Sequence, residues 1–326
     1  MMLLRRAQLE RLLRDKGAES LRPTRREVDG FIARGNVEAI RAGWFVEAEQ
    51  WRRLYAEDRH RLRVLAAAEA ARSAQGPVFS HYSAAVLHGL PLYRLRSTRV
   101  HTVSPVPVGR SNRVTVRTVA ALDPGEIRQL DGIRFTDLTR TVLDVARIAS
   151  PELAVACADA AVRRVAEEGG DWKEWVRDAK QRLEARSPSP GIVAARRVLD
   201  FADPRAESPI ESVSRLYLWM LGYDVETQVP VRSPAGLEFF VDFRLVGLGI
   251  LGEADGKSKY TEERIRGSRT ADEVVYAEKR REDWIRGVTK ERMIRWGAGE
   301  LSTLDVFADY LRSLDVPLPI RRRRRF

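Results

Sequence analysis

What most narrows the fold is a helix-length run followed by three strand-length runs, between residues 210 and 260, in which acids are set among apolar residues. Ser208-Pro209 breaks the chain, and Ile210 to Leu221 then reads as a helix with Glu211 in its first turn and Gly222 at its end. Val225 to Val231 reads as a strand, Pro234-Ala235-Gly236 as a turn, Glu238 to Val246 as a second strand. Gly247 and Gly249 shape the next turn, and Ile250 to Asp255 is the third strand. A charged helix over about 261–286, then a strand and a helix to 313, complete a helix–meander–helix unit of mixed α/β class.

Alternation along these strands places their side chains. Phe239, Val241 and Phe243 are expected on one face, with Phe240, Asp242 and Arg244 on the other. Leu251, Glu253 and Asp255 share a face, and Lys257 continues that parity if the strand extends. Ten residues separate Asp242 from Glu253, which suits a hairpin that sets them side by side. Clustered carboxylates repel, and a partly buried cleft tolerates them only with a cation or with raised pKa values. Hard oxygen ligands suit Mg²⁺ or Mn²⁺. Charged residues on a sheet face are ordinarily just solvated. Here apolar residues flank each acid and Gly256 permits close approach, which favours a metal-dependent site.

Composition sets the outer bounds. The 326 residues are 44% hydrophobic and 32% charged, enough for about two packed domains. A single cysteine, Cys157, excludes a disulfide framework and a cysteine-rich zinc site; its Ala-rich surroundings read as a buried structural thiol. No apolar run approaches the roughly 20 residues of a membrane span. The first residues lack the apolar core of a secretory signal, so the expected compartment is the cytoplasm. Formal charge is +11, and it is uneven: residues 1–206 hold 36 Lys/Arg against 26 Asp/Glu, whereas residues 207–326 hold 21 against 20. A basic first half points to a polyanion, most often nucleic acid. No phosphate-binding glycine loop or dinucleotide fingerprint is present.

Upstream, residues 3–16 carry helical apolar spacing, and Thr24 with Glu27 forms a capping-box pattern that opens a second helix. Val37 to Ile40 and Trp44 to Val46 flank a Gly43-bearing turn and read as a hairpin. Helix, helix and hairpin in about 50 residues is the pattern of a small winged helix. Thr24, Arg25 and Arg26 at the helix start, and Arg41 in the wing, are the candidate DNA contacts. A mixed α/β region comes next: helices at 57–75, 80–90, 138–148 and 151–168, a hairpin within 98–119 and a strand at 133–135. His81 and His88 lie seven apart on one helix with no evident third metal ligand, and Ser80 and Ser83 lack a nucleophile-elbow motif. Five tryptophans (Trp172, Trp175, Trp219, Trp284 and Trp296) read as core, and Arg321–Arg325 as a disordered charged tail. The organisation expected is 1–55 winged helix, 56–168 mixed α/β region, 169–206 helical linker, 207–320 acid-bearing domain and 321–326 basic tail, with the interdomain boundary near 203–208.

Val241-Asp242-Phe243, ten residues on to Glu253-Ala254-Asp255-Gly256-Lys257-Ser258-Lys259-Tyr260, resembles the PD-(D/E)XK nuclease superfamily, and within it the domains related to the very short patch repair endonuclease. Gln228 and the helix run from Glu278 to Asp283 also fit. The resemblance covers about 110 residues from Glu207 onward. It implies a restriction-endonuclease-like three-layer fold and Mg²⁺-dependent (or Mn²⁺-dependent) phosphodiester cleavage. Asp242, Glu253 and Asp255 would be metal ligands, Glu211 an assisting acid, and Lys257 the group that positions water or phosphate, with Lys259 nearby on DNA. The superfamily places a lysine two residues after the acid, where this chain has Asp255. Either Asp255-Gly256-Lys257 is the working triplet, or Lys257 or Lys259 substitutes from a neighbouring position.

The first half is similar to AbiEi-type antitoxins through Ile40-Arg41-Ala42-Gly43-Trp44-Phe45-Val46, the run from Ser80 to Leu90, and Arg140-Thr141-Val142-Leu143-Asp144. That resemblance implies a DNA-binding protein, with a toxin encoded nearby as a second partner and no membrane. The alternative to a working nuclease is a transcriptional regulator or type IV antitoxin-like protein built on a silent nuclease fold.

Overall fold

The computed structural model describes residues 4–5, 29–30, 32–35, 37–41, 43–71, 76–186, 188–232, 236, 238–255, 271–319 and 324–326. Thr24, Arg25, Arg26, Lys257 and Lys259 lie outside the described residues, as does Gly256. The chain divides into two units at residues 148/149. Each combines helices with sheet, so the protein is of mixed α/β class. Among the described residues no helix is long and apolar enough to cross a membrane.

In the first unit β1 (Leu4–Arg5), β2 (Val37–Arg41) and β3 (Trp44–Glu47) form a small sheet in the order β1-β3-β2. The expected hairpin is β2–β3, turned at Gly43 with φ 78°. Leu4 and Arg5 were expected in a helix; they pair instead with Phe45 and Trp44, giving β3 a partner on its second edge. Helices α1 (Ala48–Arg53) and α2 (Ala56–Ala70) close this part over a cluster of Val46, Trp51 and Leu62.

The rest of the unit is a five-stranded sheet, β6-β5-β4-β8-β7, with strands at Val78–Phe79 (β4), Val100–Ser104 (β5), Thr115–Val119 (β6), Ile127–Leu130 (β7) and Ile133–Thr136 (β8). Helix α3 (His81–Leu87) comes after β4, and α4 (Leu138–Ile148) after β8. The expected hairpin within 98–119 is not formed: β5 and β6 run parallel, because the connection between them returns the chain to the same direction. The tight hairpin is β7–β8, where Asp131 (φ 49°) and Gly132 (φ 78°) supply the left-handed pair such a turn needs.

Two sequence motifs of this unit hold its polar interior together. Arg140 pairs through Nε with Asp144 at 2.9 Å and through Nη1 with Glu126 at 3.0 Å, all three buried. Ser83 Oγ accepts the His101 N–H at 2.8 Å and lies 3.0 Å from His60 Nε2, while His88 Nε2 donates to the Thr136 carbonyl at 2.8 Å. Burial holds His60 down to about 4 and His101 to about 3, so both are neutral in the folded protein.

The second unit begins with α5 (Pro151–Glu167), α6 (Trp172–Glu184) and α7 (Ile192–Phe201). They were expected on the far side of a boundary near 203–208. They pack instead with the acid-bearing half: buried Asp159 receives Arg215 at 2.9 and 3.0 Å and the Asp203 N–H at 2.9 Å, and Tyr217 Oη donates to Glu152 at 3.1 Å. The Ser208-Pro209 break is a helix start. Ser208 Oγ accepts the Glu211 N–H at 3.2 Å, and Pro209 opens α8 (Pro209–Leu221), which ends at Gly222 with φ 96°.

Strands β9 (Val225–Arg232), β10 (Glu238–Leu245) and β11 (Ile250–Asp255) then form the expected antiparallel meander. Helix α9 (Ala271–Thr289) crosses over, so that β12 (Arg292–Gly297) joins β11 in parallel; α10 (Leu304–Ser313) comes last. The sheet order is β12-β11-β10-β9. Of the five tryptophans only Trp296 is buried; Trp172, Trp175, Trp219 and Trp284 are half-buried. The end of the chain is not a free tail where it is described. Arg324 N–H donates to the Met220 carbonyl at 2.9 Å, and the Phe326 ring lies edge-on to Phe201 at 5.3 Å and to Trp219 at 6.0 Å.

Candidate functional site

The candidate site lies in the second unit, where β10 and β11 part. Their paired register runs from Leu245↔Ile250 to Phe243↔Gly252 and ends one step short of Asp242 and Glu253, which lie near enough to feel each other's charge. There the ladder gives way: the Asp242 carboxylate accepts the Ala254 N–H at 2.8 Å. On the other side of β10, Gln228 has a positive φ of 53° and is absent from the pairing between Val241↔Val229 and Phe243↔Thr227.

This distortion corrects the simple alternation expected for β10. Phe239 and Val241 pack with Val229, Val231, Leu251, Met293 and Ile285 of α9. Phe243 instead stacks on Trp296, with ring centroids 5.7 Å apart. Trp296 in turn donates from Nε1 to Ser214 Oγ of α8 at 2.7 Å and meets Phe307 of α10 edge-on. A Cβ on Gly252 would fall inside the Trp296 ring, so the residue before Glu253 has no room for a side chain.

Glu211 reaches the same place from the first turn of α8. Its carboxylate accepts the Glu207 N–H at 2.8 Å and the Gln228 side-chain amide at 3.2 Å. Burial raises its pKa. Asp242 feels both burial and the Glu211 charge, and is pushed up to about 7. Among the described residues neither Glu211 nor Asp242 forms a salt bridge.

Glu253 is different. It is 6% exposed, and burial raises its pKa, but each of its oxygens takes a guanidinium: Arg281 Nη1 at 2.7 Å and Arg295 Nη2 at 2.9 Å. Asp255 is exposed, with Arg295 Nη1 3.8 Å away. The structure therefore brings together Glu211, Asp242 and Glu253 and leaves Asp255 at the rim. Arg41 lies in the first unit, at the end of β2.

Arg281 stood within the run from Glu278 to Asp283 that fits the nuclease resemblance, but with no role of its own, and Arg295 within a strand that the sequence did not single out. What marks them is the parallel register Glu253↔Arg295 and the placement of α9 beside it, neither of which is written in local spacing. Among the described residues no three acidic or imidazole groups converge as a cage for an ion. Mg²⁺ commonly takes only one or two carboxylates and completes its shell with water and substrate phosphate. Buried Glu211 and half-buried Asp242, with a mutual charge conflict, fit that requirement.

No protein-family profile matches the chain, and no solved structure matches it. Two curated relatives do, the uncharacterized proteins MT2308 and Rv2248 of Mycobacterium tuberculosis strains CDC 1551 and H37Rv. Each is 31% identical over 163 residues, which is 49% of this chain and 56% of the relative. The chain thus spans little more than half the length of the curated relatives it matches.

Proposed function

We propose that the second unit is a divalent-cation-dependent nuclease-type site of the PD-(D/E)XK kind, acting on DNA phosphodiesters. The observation that carries this reading is buried Glu211 beside half-buried Asp242, set without a salt bridge among the described residues at the point where two strands separate. A cation there would be held by Asp242 and Glu211. When bound, such an ion lowers the pKa of a water and stabilises charge on the phosphodiester. Gln228 fixes the Glu211 carboxylate by its amide, and the Ala254 N–H fixes Asp242. Asp255, exposed at the rim, would orient water. The basic first unit, similar to AbiEi-type antitoxins, would hold DNA through Arg41 and the segment around Thr24, Arg25 and Arg26. Lys257 would position water or phosphate, and Lys259 would contact DNA. The setting is cytoplasmic, and a toxin encoded nearby is the further partner.

A nuclease assay on plasmid, linear and single-stranded DNA with Mg²⁺, Mn²⁺ or EDTA tests this. Metal-dependent cutting that disappears in Asp242→Asn is the expected result. Absence of cutting on every substrate would overturn it. That outcome favours the second reading, a DNA-binding regulator on a silent nuclease fold. Its support is the pair of guanidiniums on Glu253 and the acid at position 255. A regulator binds DNA with steep salt dependence and no need for Mg²⁺.

A further inference from the structure

We infer that Arg281 and Arg295 form a phosphate clamp beside Asp242 and Glu211, held in place by Glu253, and that they supply the positive charge this strand lacks where Asp255 stands. The inference deepens the nuclease-type reading by naming what grips the substrate backbone, and its test fails separately from that reading.

Three observations carry it. First, Glu253 and Arg295 are direct partners on the parallel strands β11 and β12, so the guanidinium reaches the carboxylate from the next strand at 2.9 Å. Second, Arg281 comes from α9 and is fixed at two points, donating from Nη1 to Glu253 at 2.7 Å and from Nη2 to the Phe240 carbonyl at 2.7 Å. Arg281 is thereby tied to β10 on one side of the site and to β11 through Glu253. Third, both arginines remain partly open, with 23% and 31% of their side chains exposed, while Glu253 beneath them is buried.

A guanidinium is a planar fork of donors that keeps its charge. Orienting that fork in advance is what bidentate recognition of phosphate requires. A buried ion pair is by itself weak grounds for stability, since well-packed apolar residues often do as well. Two partly exposed arginines converging on one buried acid are better explained by what they present outward. Glu282 at 3.4 Å and Asp255 at 3.8 Å make longer contacts with Arg295 and would compete with an incoming phosphate for it.

The experiment uses the full chain and a fluorescent 30-mer, duplex and single-stranded, with anisotropy titrations in EDTA across a salt series. Arg281→Gln and Arg295→Gln are each combined with Glu253→Gln, so that no buried carboxylate is left unpaired. Each combination is expected to lower the slope of log affinity against log salt by about one, the signature of one lost phosphate contact. Glu253→Gln alone, which keeps both cations, is expected to retain the parent slope. Folding is checked by circular dichroism. Should the glutamine variants fail to fold, Arg281→Lys with Arg295→Lys keeps charge and pairing but loses the fork, and binding is expected to weaken at least fivefold. Unchanged slopes in folded glutamine variants, or unchanged binding in the lysine variant, overturn the clamp. Cleavage by the parent together with unchanged slopes overturns the clamp alone. Lowered slopes in a protein that never cuts overturn the nuclease reading and leave the clamp standing.

Discussion

Asp242 is held in an unfavourable place for a charge, and that has a measurable consequence. Its folded pKa, about 7, lies above the 3.8 of the free side chain, so the folded state binds the extra proton between those values. Stability from this group is therefore full below pH 3.8 and is lost as pH rises toward 7. Asp242→Asn keeps an acceptor for the Ala254 N–H and removes the charge. It should raise stability at pH 7–8 by on the order of 1–2 kcal/mol, and by little at pH 4. Thermal midpoints of parent and variant at the two pH values check this; a variant destabilised at both would contradict the charge conflict. The sequence placed Asp242 beside Glu253 through a spacing of ten. It could not show that Glu253 would be neutralised by Arg281 and Arg295, because those partners arrive from a helix and a strand 28 and 42 residues away.

At the scale of elements, the site depends on how tightly β11 lies against its neighbours. Gly252 faces the Trp296 ring, which is itself fixed by Ser214 of α8 and by Phe243 and Phe307. Gly252→Ala must displace that ring, and overpacking of this kind costs about 1–3 kcal/mol. Urea unfolding monitored by tryptophan fluorescence should show the lowered midpoint. No loss would mean that β11 and β12 shift freely, and that the register holding Arg295 against Glu253 is soft. The order of helix and strands from residue 209 to 255 was legible because its breaks carry glycine, proline or a capping serine. The distortion at Gln228 and Asp242 was not, since alternation presumes a regular pleat and a positive φ at a non-glycine residue leaves no sequence mark.

For the whole molecule, the two units should answer acid differently. His60 and His101 are buried and neutral in the first unit, with folded pKa values of about 4 and about 3 against an ordinary 6.5. Below about pH 6.5 the unfolded chain takes up protons that the folded unit refuses, so the first unit loses stability as pH falls from 6.5 toward 4. Hydrogen exchange at pH 7 and pH 5 should show protection declining in β4, β5 and α3. In His60→Gln that decline should be shallower; an identical decline would exclude His60 as its source.

By itself the sequence determined the mixed α/β class, the β2–β3 hairpin, the meander and the nearness of Asp242 to Glu253. All of these rest on short-range rules of period, turn chemistry and spacing. Only the tertiary structure decided that residues 149–206 belong with the acid-bearing half, that β5 and β6 run parallel, and that the last residues dock on Phe201 and Trp219. It alone set two arginines against Glu253. The reason is physical: burial and partnership are properties of contacts between distant segments, and a local pattern carries no record of which segment will arrive.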